Sequence, residues 1–245
     1  MSYCVWVLTL HLQINIPPVA LKFKHLTTVT FVKFSGRQIL YGLSQMQLSH
    51  APLQQVPGLQ FYKIMGSGAG NGFSIRPDFS TFCLLAHWED EASEAAFFKS
   101  NPFWQTYAYR GKVYLHARLQ ASKTHGSWGG INPFEKTLST PSTGERIAVL
   151  TRATIKKRHL WSFWKEVPAA SRPVNKLEGL IYSKGVGEWP LFMQATISIW
   201  ENREAMVEYA YRNKAHVEMI RKTRQKGWYR EEMFTEFELV SLNLT

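Results

Sequence analysis

Gly58-Leu59-Gln60-Phe61-Tyr62-Lys63-Ile64-Met65-Gly66 and Gly179-Leu180-Ile181-Tyr182-Ser183-Lys184-Gly185-Val186-Gly187 carry Gly-Leu, Lys and Gly at identical spacings. An internal repeat constrains architecture before any local pattern does. Downstream, each copy has a short alternating stretch that ends in tryptophan and runs into an acidic helix start. These are Phe82 to Trp88 before Glu89-Asp90-Glu91, and Ala195 to Trp200 before Glu201. The interval from the second glycine to tryptophan is nine residues longer in the first copy. That difference fits an insertion at the loop Ala69-Gly70-Asn71-Gly72-Phe73, since loops are where length changes are best tolerated.

Working outward, each half has the same order of elements. Val29 to Phe34 is rich in β-branched and aromatic residues and predicts a strand; a helix follows over Arg37 to Leu48. Strands are expected around Leu59 to Ile64 and Phe82 to His87, a helix over about Ala92 to Tyr107, and a strand over Lys112 to Leu119. In that last strand Val113, Leu115, Ala117 and Leu119 alternate with Tyr114, His116 and Arg118, which predicts an apolar and a polar face. The second half predicts strands at Ile147 to Ala153, Leu180 to Lys184, Gln194 to Ile199 and Met233 to Val240. Its helices are expected at Lys157 to Val167 and in pieces over Arg203 to Lys226. This order, β-α-β-β-α-β, is the ferredoxin-like unit. The fold expected is therefore α+β: tandem duplicated ferredoxin-like units of the dimeric α+β barrel type, with helices outside the paired sheets. The divisions are an N-terminal extension over 1–24, halves over 25–126 and 144–245, and a connection over 127–143. Trp128 and Phe134 predict that the connection is partly buried.

Composition agrees with a folded chain: 45% apolar and only 19% charged residues over 245 positions can bury a sizeable core. Cys4 and Cys83 lie far apart with no ligand spacing, which argues against a disulfide framework or a structural zinc and makes a reducing compartment the default. Met1 to Ala20 has no basic start, contains His11, Gln13 and Asn15, and breaks at Pro17-Pro18, so it reads as neither a membrane span nor a signal peptide. The net charge of +11 attracts phosphate, on nucleic acid or on an anionic membrane. Nucleic acid is disfavoured because no RNP-like pattern of exposed aromatics appears. The run Gly66 to Gly72 suggests phosphate binding only superficially, since Phe73-Ser74-Ile75-Arg76-Pro77 does not open a helix.

No hydrolase elbow, zinc helix, nucleotide loop or calcium loop is present. Among the eight histidines, His11, His25, His50 and His116 are read as surface or structural, and His87 and His125 as hydrogen-bonding residues. His216 stands apart on a helix with Val217, Met219 and Ile220 at one-turn spacing. The pattern alone fits a half-buried histidine with a satisfied ring; an imidazole in an apolar cleft is also what haem iron takes as a proximal ligand.

A collinear series resembles the spheroidene monooxygenase family over about residues 28–240. It includes Tyr41-Gly42-Leu43-Ser44-Gln45-Met46, Pro57 to Lys63, Gly66-Ser67-Gly68, Ser127-Trp128-Gly129-Gly130, Leu150 to Ile155, Phe163-Trp164, Gly187-Glu188-Trp189-Pro190, Gln194 to Trp200 and Gly227 to Glu232. The segment before Lys24 lies outside it, and the helix near Gln38 to Leu43 lacks a tryptophan expected there. The resemblance implies a haem-dependent monooxygenase that hydroxylates and then ketolates the end of an acyclic carotenoid, with haem b iron as cofactor and a ferredoxin-type electron donor. Side chains cannot activate dioxygen, so a cofactor would have to carry that step. It further implies His216 as the axial ligand of haem iron, and Arg152 is the candidate for the oxygen-facing distal side, with an ion pair to Glu188 or another carboxylate as the alternative. A different class stays open: a cofactor-free ferredoxin-like binding or monooxygenase module for a conjugated apolar molecule. A lipid-soluble substrate and a basic chain predict a cytoplasmic protein with peripheral contact at the inner membrane.

Overall fold

The computed structural model describes residues 23–70, 74, 76–137, 146–171, 177–189, 191–212 and 214–245, with the backbone alone for 167–171 and 214–216. Most of the extension, the centre of the glycine-rich loop and the end of the connection lie outside the described residues.

Eight strands close into one antiparallel barrel. They are β1 (Leu26–Lys33), β2 (Leu59–Gly68), β3 (Pro77–Trp88), β4 (Lys112–Gly126), β5 (Ile147–Ile155), β6 (Leu180–Trp189), β7 (Met193–Trp200) and β8 (Tyr229–Leu244). Around the barrel the order is β1-β3-β2-β6-β7-β5-β8-β4. Four strands of each half are thus neighbours, in the orders β4-β1-β3-β2 and β8-β5-β7-β6. The halves join at a short seam, Gly66 opposite Gly187 and Ser67 opposite Val186, and at a long one from Leu115–Leu244 to Gly126–Met233.

The helices of the first half are α1 (Gln38–Leu48), α2 (His50–Gln54), α3 (Glu91–Ser100) and α4 (Pro102–Arg110). The second half has α5 (Leu160–Ser171), α6 (Arg203–Arg212) and α7 (Lys214–Lys226). The single helix expected over Ala92 to Tyr107 is two. Asn101 accepts hydrogen bonds from the Phe103 and Trp104 amides, and Pro102, with no amide proton to lose, begins α4. A 3-10 turn over Lys157–His159 precedes α5.

The repeated landmarks hold equivalent places in the register. Trp88 lies opposite Leu26 and Leu59, and Trp200 opposite Ile147 and Leu180. Gly58 (φ +72°) and Gly179 (φ +74°) both adopt the left-handed conformation that glycine supplies without strain. Their carbonyls accept from the Glu89 and Glu201 amides, each at 2.8 Å.

Side chains facing inward, among them Val29, Phe31, Met65, Leu85, Leu115, Leu150, Ile197 and Phe237, fill the barrel. Trp128 and Phe134 of the connection are buried with them. The outward faces lie under helices, and this decides one expectation and corrects another. Of the surface and structural roles open to His116 the structural one holds: it is buried, and its Nδ1 is 2.8 Å from Thr30 Oγ1. A register shift at Phe31/Val32 also turns Val113 towards the helix layer and Tyr114 into the barrel beside Leu115. Polar alternation reads as solvent exposure in an open sheet, but a closed barrel clad in helices buries both faces.

Candidate functional site

Two regions concentrate chemistry. One is the barrel end where β6 finishes, β8 begins and the connection folds in. Lys63 Nζ donates to Glu188 Oε2 at 2.7 Å, and Trp128 Nε1 donates to Glu188 Oε1 at 2.6 Å. Arg152 donates to Glu231, lies 4.0 Å from Glu188 and stacks over the Trp128 ring at 5.5 Å. Burial works to raise the Glu231 carboxyl, but the Gly130 amide, the Arg152 guanidinium and the Ser127 hydroxyl outweigh it and hold it down at about 2. These groups neutralise one another and fasten the connection to the second half. Arg152 therefore has the carboxylate partners weighed against a distal role. Its strand neighbours across the sheet, Ala195 and Met233, face the barrel interior, and so does Arg152.

Deeper in the barrel, His87 Nδ1 lies 2.9 Å from Thr27 Oγ1, the hydrogen-bonding role expected of it. Burial, with the neighbouring His25 ring, pushes its imidazole down to about 4, so it is neutral. The Tyr114 and Tyr182 hydroxyls are 3.0 Å apart; burial raises both phenols, Tyr114 to about 12.

The second region is the outward face of the second-half sheet. Across β2, β3, β1 and β4, one outward row reads Ile64, Leu84, Thr30, His116, and all four are buried. Its counterpart across β6, β7, β5 and β8 reads Gly185, Thr196, Thr151, Phe234. Thr151 is exposed, and Thr196 and Phe234 are only half-buried, although β5 lies between two strands. The next row changes from Val32 and Phe82, both buried, to Ala153 and Gln194, both half-buried. Glycine and threonine stand where the first half has isoleucine and leucine, so among the described residues the second sheet is less filled on its helix side, although Gly185 itself is buried.

The helices beside it close on their own contacts. Phe163 and Trp164 of α5 cluster with Ile155, Trp228 and Met219, and Lys222 of α7 donates to Glu166 of α5 at 2.6 Å. On α7, Val217 and Ile220 are 41% and 38% exposed. His216 belongs to α7, one turn before Ile220 and on the same face; its side chain lies outside the described residues. Arg152 faces the barrel interior, whereas α7 packs in the outer layer against α5 and α6. The sequence reading missed the underfilled face, whose signal was present in the repeat: Leu84 against Thr196 and Ile64 against Gly185. Among the described residues no cluster of three or more metal-ligating side chains occurs, and no helix is long and apolar enough to cross a membrane.

No family model matches the chain. It is 35% identical over 215 residues to a spheroidene monooxygenase of Rhodobacter capsulatus, an alignment that spans 87% of this chain and 89% of that one. It is 32% identical over 216 residues to a spheroidene monooxygenase of Cereibacter sphaeroides, spanning 88% of this chain and 66% of that one. Among solved structures, an aldoxime dehydratase in complex with butyraldoxime matches with a TM-score of 0.57 at 12% identity, covering 88% of this chain and 79% of that one. At that identity the likeness is one of fold.

Proposed function

Because the chain belongs to the spheroidene monooxygenase family, and is a monooxygenase, we propose that it hydroxylates and then ketolates an acyclic carotenoid with haem b as cofactor. The observation that carries the reading is the underfilled outward face of β6, β7 and β5 beside α5 and α7. A large flat apolar group needs room between layers, and Thr196 and Thr151 are incompletely covered where Leu84 and Thr30 are buried. The residues present fit haem. His216 on α7 is the imidazole that would hold it, and Cys83, the only described cysteine, is buried and faces the barrel interior with its thiol pushed up by burial, so it offers no thiolate. Bound haem would supply the dioxygen activation that side chains lack.

The chain's own residues then bind, orient and exclude water. The Thr151 and Thr196 hydroxyls would offer hydrogen-bonding groups from the sheet side, and α5 and α7 would supply the apolar wall. Arg152 takes no part on that side, since it is held inside the barrel by Glu231 and Glu188. Electrons come from a ferredoxin-type donor, and the substrate is drawn from the cytoplasmic side of the inner membrane through peripheral contact. The equal geometry at Gly58 and Gly179, and at Trp88 and Trp200, supports an origin by tandem duplication of one ferredoxin-like unit. The test is an absorption spectrum of the protein purified from haem-replete cells, alone and with dithionite and carbon monoxide. A Soret band that shifts with carbon monoxide is expected; its absence would favour a cofactor-free module.

A further inference from the structure

We propose that the barrel end bearing Ile131, Trp161, Trp189 and Leu191 is the surface by which the protein docks on an anionic lipid bilayer. These four side chains are 57%, 79%, 66% and 38% exposed, which is unusual for large apolar groups gathered at one end. Three hydrogen bonds hold the segments that carry them together. Trp164 Nε1 donates to the Leu191 carbonyl at 3.0 Å, which sets the β6–β7 turn against the start of α5. Trp128 Nε1 donates to Glu188 beside Trp189, and the Gly130 amide donates to Glu231 at 2.8 Å, which fixes the loop presenting Ile131. Leu191 adopts φ +71°, a conformation side chains rarely accept, so its place in the turn is maintained against a backbone preference.

Charge selects the partner. Lys157 and Arg158 lie in the 3-10 turn before Trp161, and Arg230 lies at the start of β8; all three are exposed. Among the described residues none of the three forms an ion pair. The carboxylates Glu188 and Glu231 are neutralised internally by Lys63 and Arg152, which leaves Glu232 as the exposed acid on this stretch of β8. Indole rings ringed by uncompensated lysine and arginine suit the headgroup region of an anionic membrane, where the rings seat at the apolar boundary and the cations meet phosphate. The function proposed above gives this face a purpose, delivery of a membrane-dissolved substrate, but the surface argument stands without haem or carotenoid.

The full chain is mixed with phosphatidylcholine vesicles, and with vesicles containing phosphatidylglycerol, and binding is read by flotation. Quenching of tryptophan fluorescence by lipids brominated in the acyl chain reports insertion. Binding is expected only with phosphatidylglycerol, with quenching. Trp161→Ala/Trp189→Ala and Lys157→Glu/Arg158→Glu should each weaken it about tenfold or more without moving the melting temperature, because all four residues are exposed. Lys99→Glu/Arg110→Glu, on the first-half helices, should change it little. The proposal is overturned by no binding, by equal loss in the first-half variant, or by a concentration-dependent dimer that the tryptophan variant abolishes while vesicles are ignored. A missing Soret band would sink the proposed function and leave this result unaffected.

Discussion

The two helix layers cover equivalent sheet faces in different ways. Over the first half, Val32, Phe34, Leu53, Ile64, Phe82, Leu84, Trp88, Phe97, Trp104 and Tyr107 form one continuous buried cluster between sheet and helices. Over the second, the described residues form two smaller clusters, one around Phe163, Trp164 and Trp228, the other around Ile147, Val149, Trp200 and Met206. Between them lie Thr151 and Thr196, incompletely covered. Close packing is the rule in interiors, so this difference between two like faces is what the proposed haem site rests on.

The largest effect should come from removing the imidazole proposed to hold haem. His216→Ala is expected to abolish the Soret band and turnover while circular dichroism stays native, since one helix-borne imidazole contributes little to a core of this size. His159→Ala, beside α5, should leave the spectrum alone. His116→Ala, beneath the filled layer, should cost about 1–3 kcal/mol through the lost Thr30 partner yet keep the band. Full haem and an unchanged spectrum in His216→Ala would place the axial ligand elsewhere.

The halves also differ inside the barrel. His87 and Thr27 stand opposite each other on β3 and β1, where β7 and β5 carry Ile199 and Ala148. Because burial holds the folded-state value of His87 near 4 against 6.5 in the unfolded chain, the unfolded chain binds the extra proton between those limits. Stability is then complete above about pH 6.5 and falls by roughly 3 kcal/mol as pH drops towards 4. Thr27→Ala/His87→Ile, which carries the second half's pair, should flatten that part of the curve in urea melts across pH. An unaltered acid slope would mean that another group sets it.

What the sequence discloses follows from the same contrast. The order of strands along the chain was legible because the Gly-Leu-Lys-Gly spacing and the tryptophans recur, and register preserves such spacing. The break at Asn101-Pro102 was written locally as a cap and a first-turn proline, but the aromatic spacing of Phe97, Trp104 and Tyr107 runs across it. Arg152 could not be assigned to a side of the wall, because its partners Glu188 and Glu231 are distant in sequence and a strand residue faces either layer equally well. The place of His216 on a second-half helix was readable, whereas the gap beside that helix emerges only when Leu84 and Thr196 are compared in register.

Exchanging those two residues sharpens the point. Leu84→Thr removes apolar volume and buries a hydroxyl in a closed layer, so about 2–4 kcal/mol should be lost in denaturant melts. Thr196→Leu adds apolar volume to a face that is still partly open, and stability should change by less than about 1 kcal/mol. Haem titration of the apoprotein should show the opposite ranking: weaker uptake in Thr196→Leu, normal uptake in folded Leu84→Thr. Equal losses of stability in both variants would show that the second layer is as closed as the first.

The smallest effect tests what the halves share. After Trp88 the Asp90 carboxylate accepts from the Ser93 amide at 2.8 Å, and after Trp200 the Asn202 side chain accepts from the Ala205 amide at 2.8 Å. Each satisfies one of the backbone donors that a helix start leaves without an internal partner, and aspartate and asparagine are close in capping strength. Asp90→Ala and Asn202→Ala should therefore each lower stability by about 1 kcal/mol, while Asp90→Asn and Asn202→Asp stay within a few tenths of the parent. The gap should not enter, because α6 packs at its own end of the sheet through Met206 against Trp200 and Val149. If Asn202→Ala is silent while Asp90→Ala is not, α6 is not held by the same cooperative unit as α3, and the asymmetry between the halves extends beyond the face that carries Thr151 and Thr196.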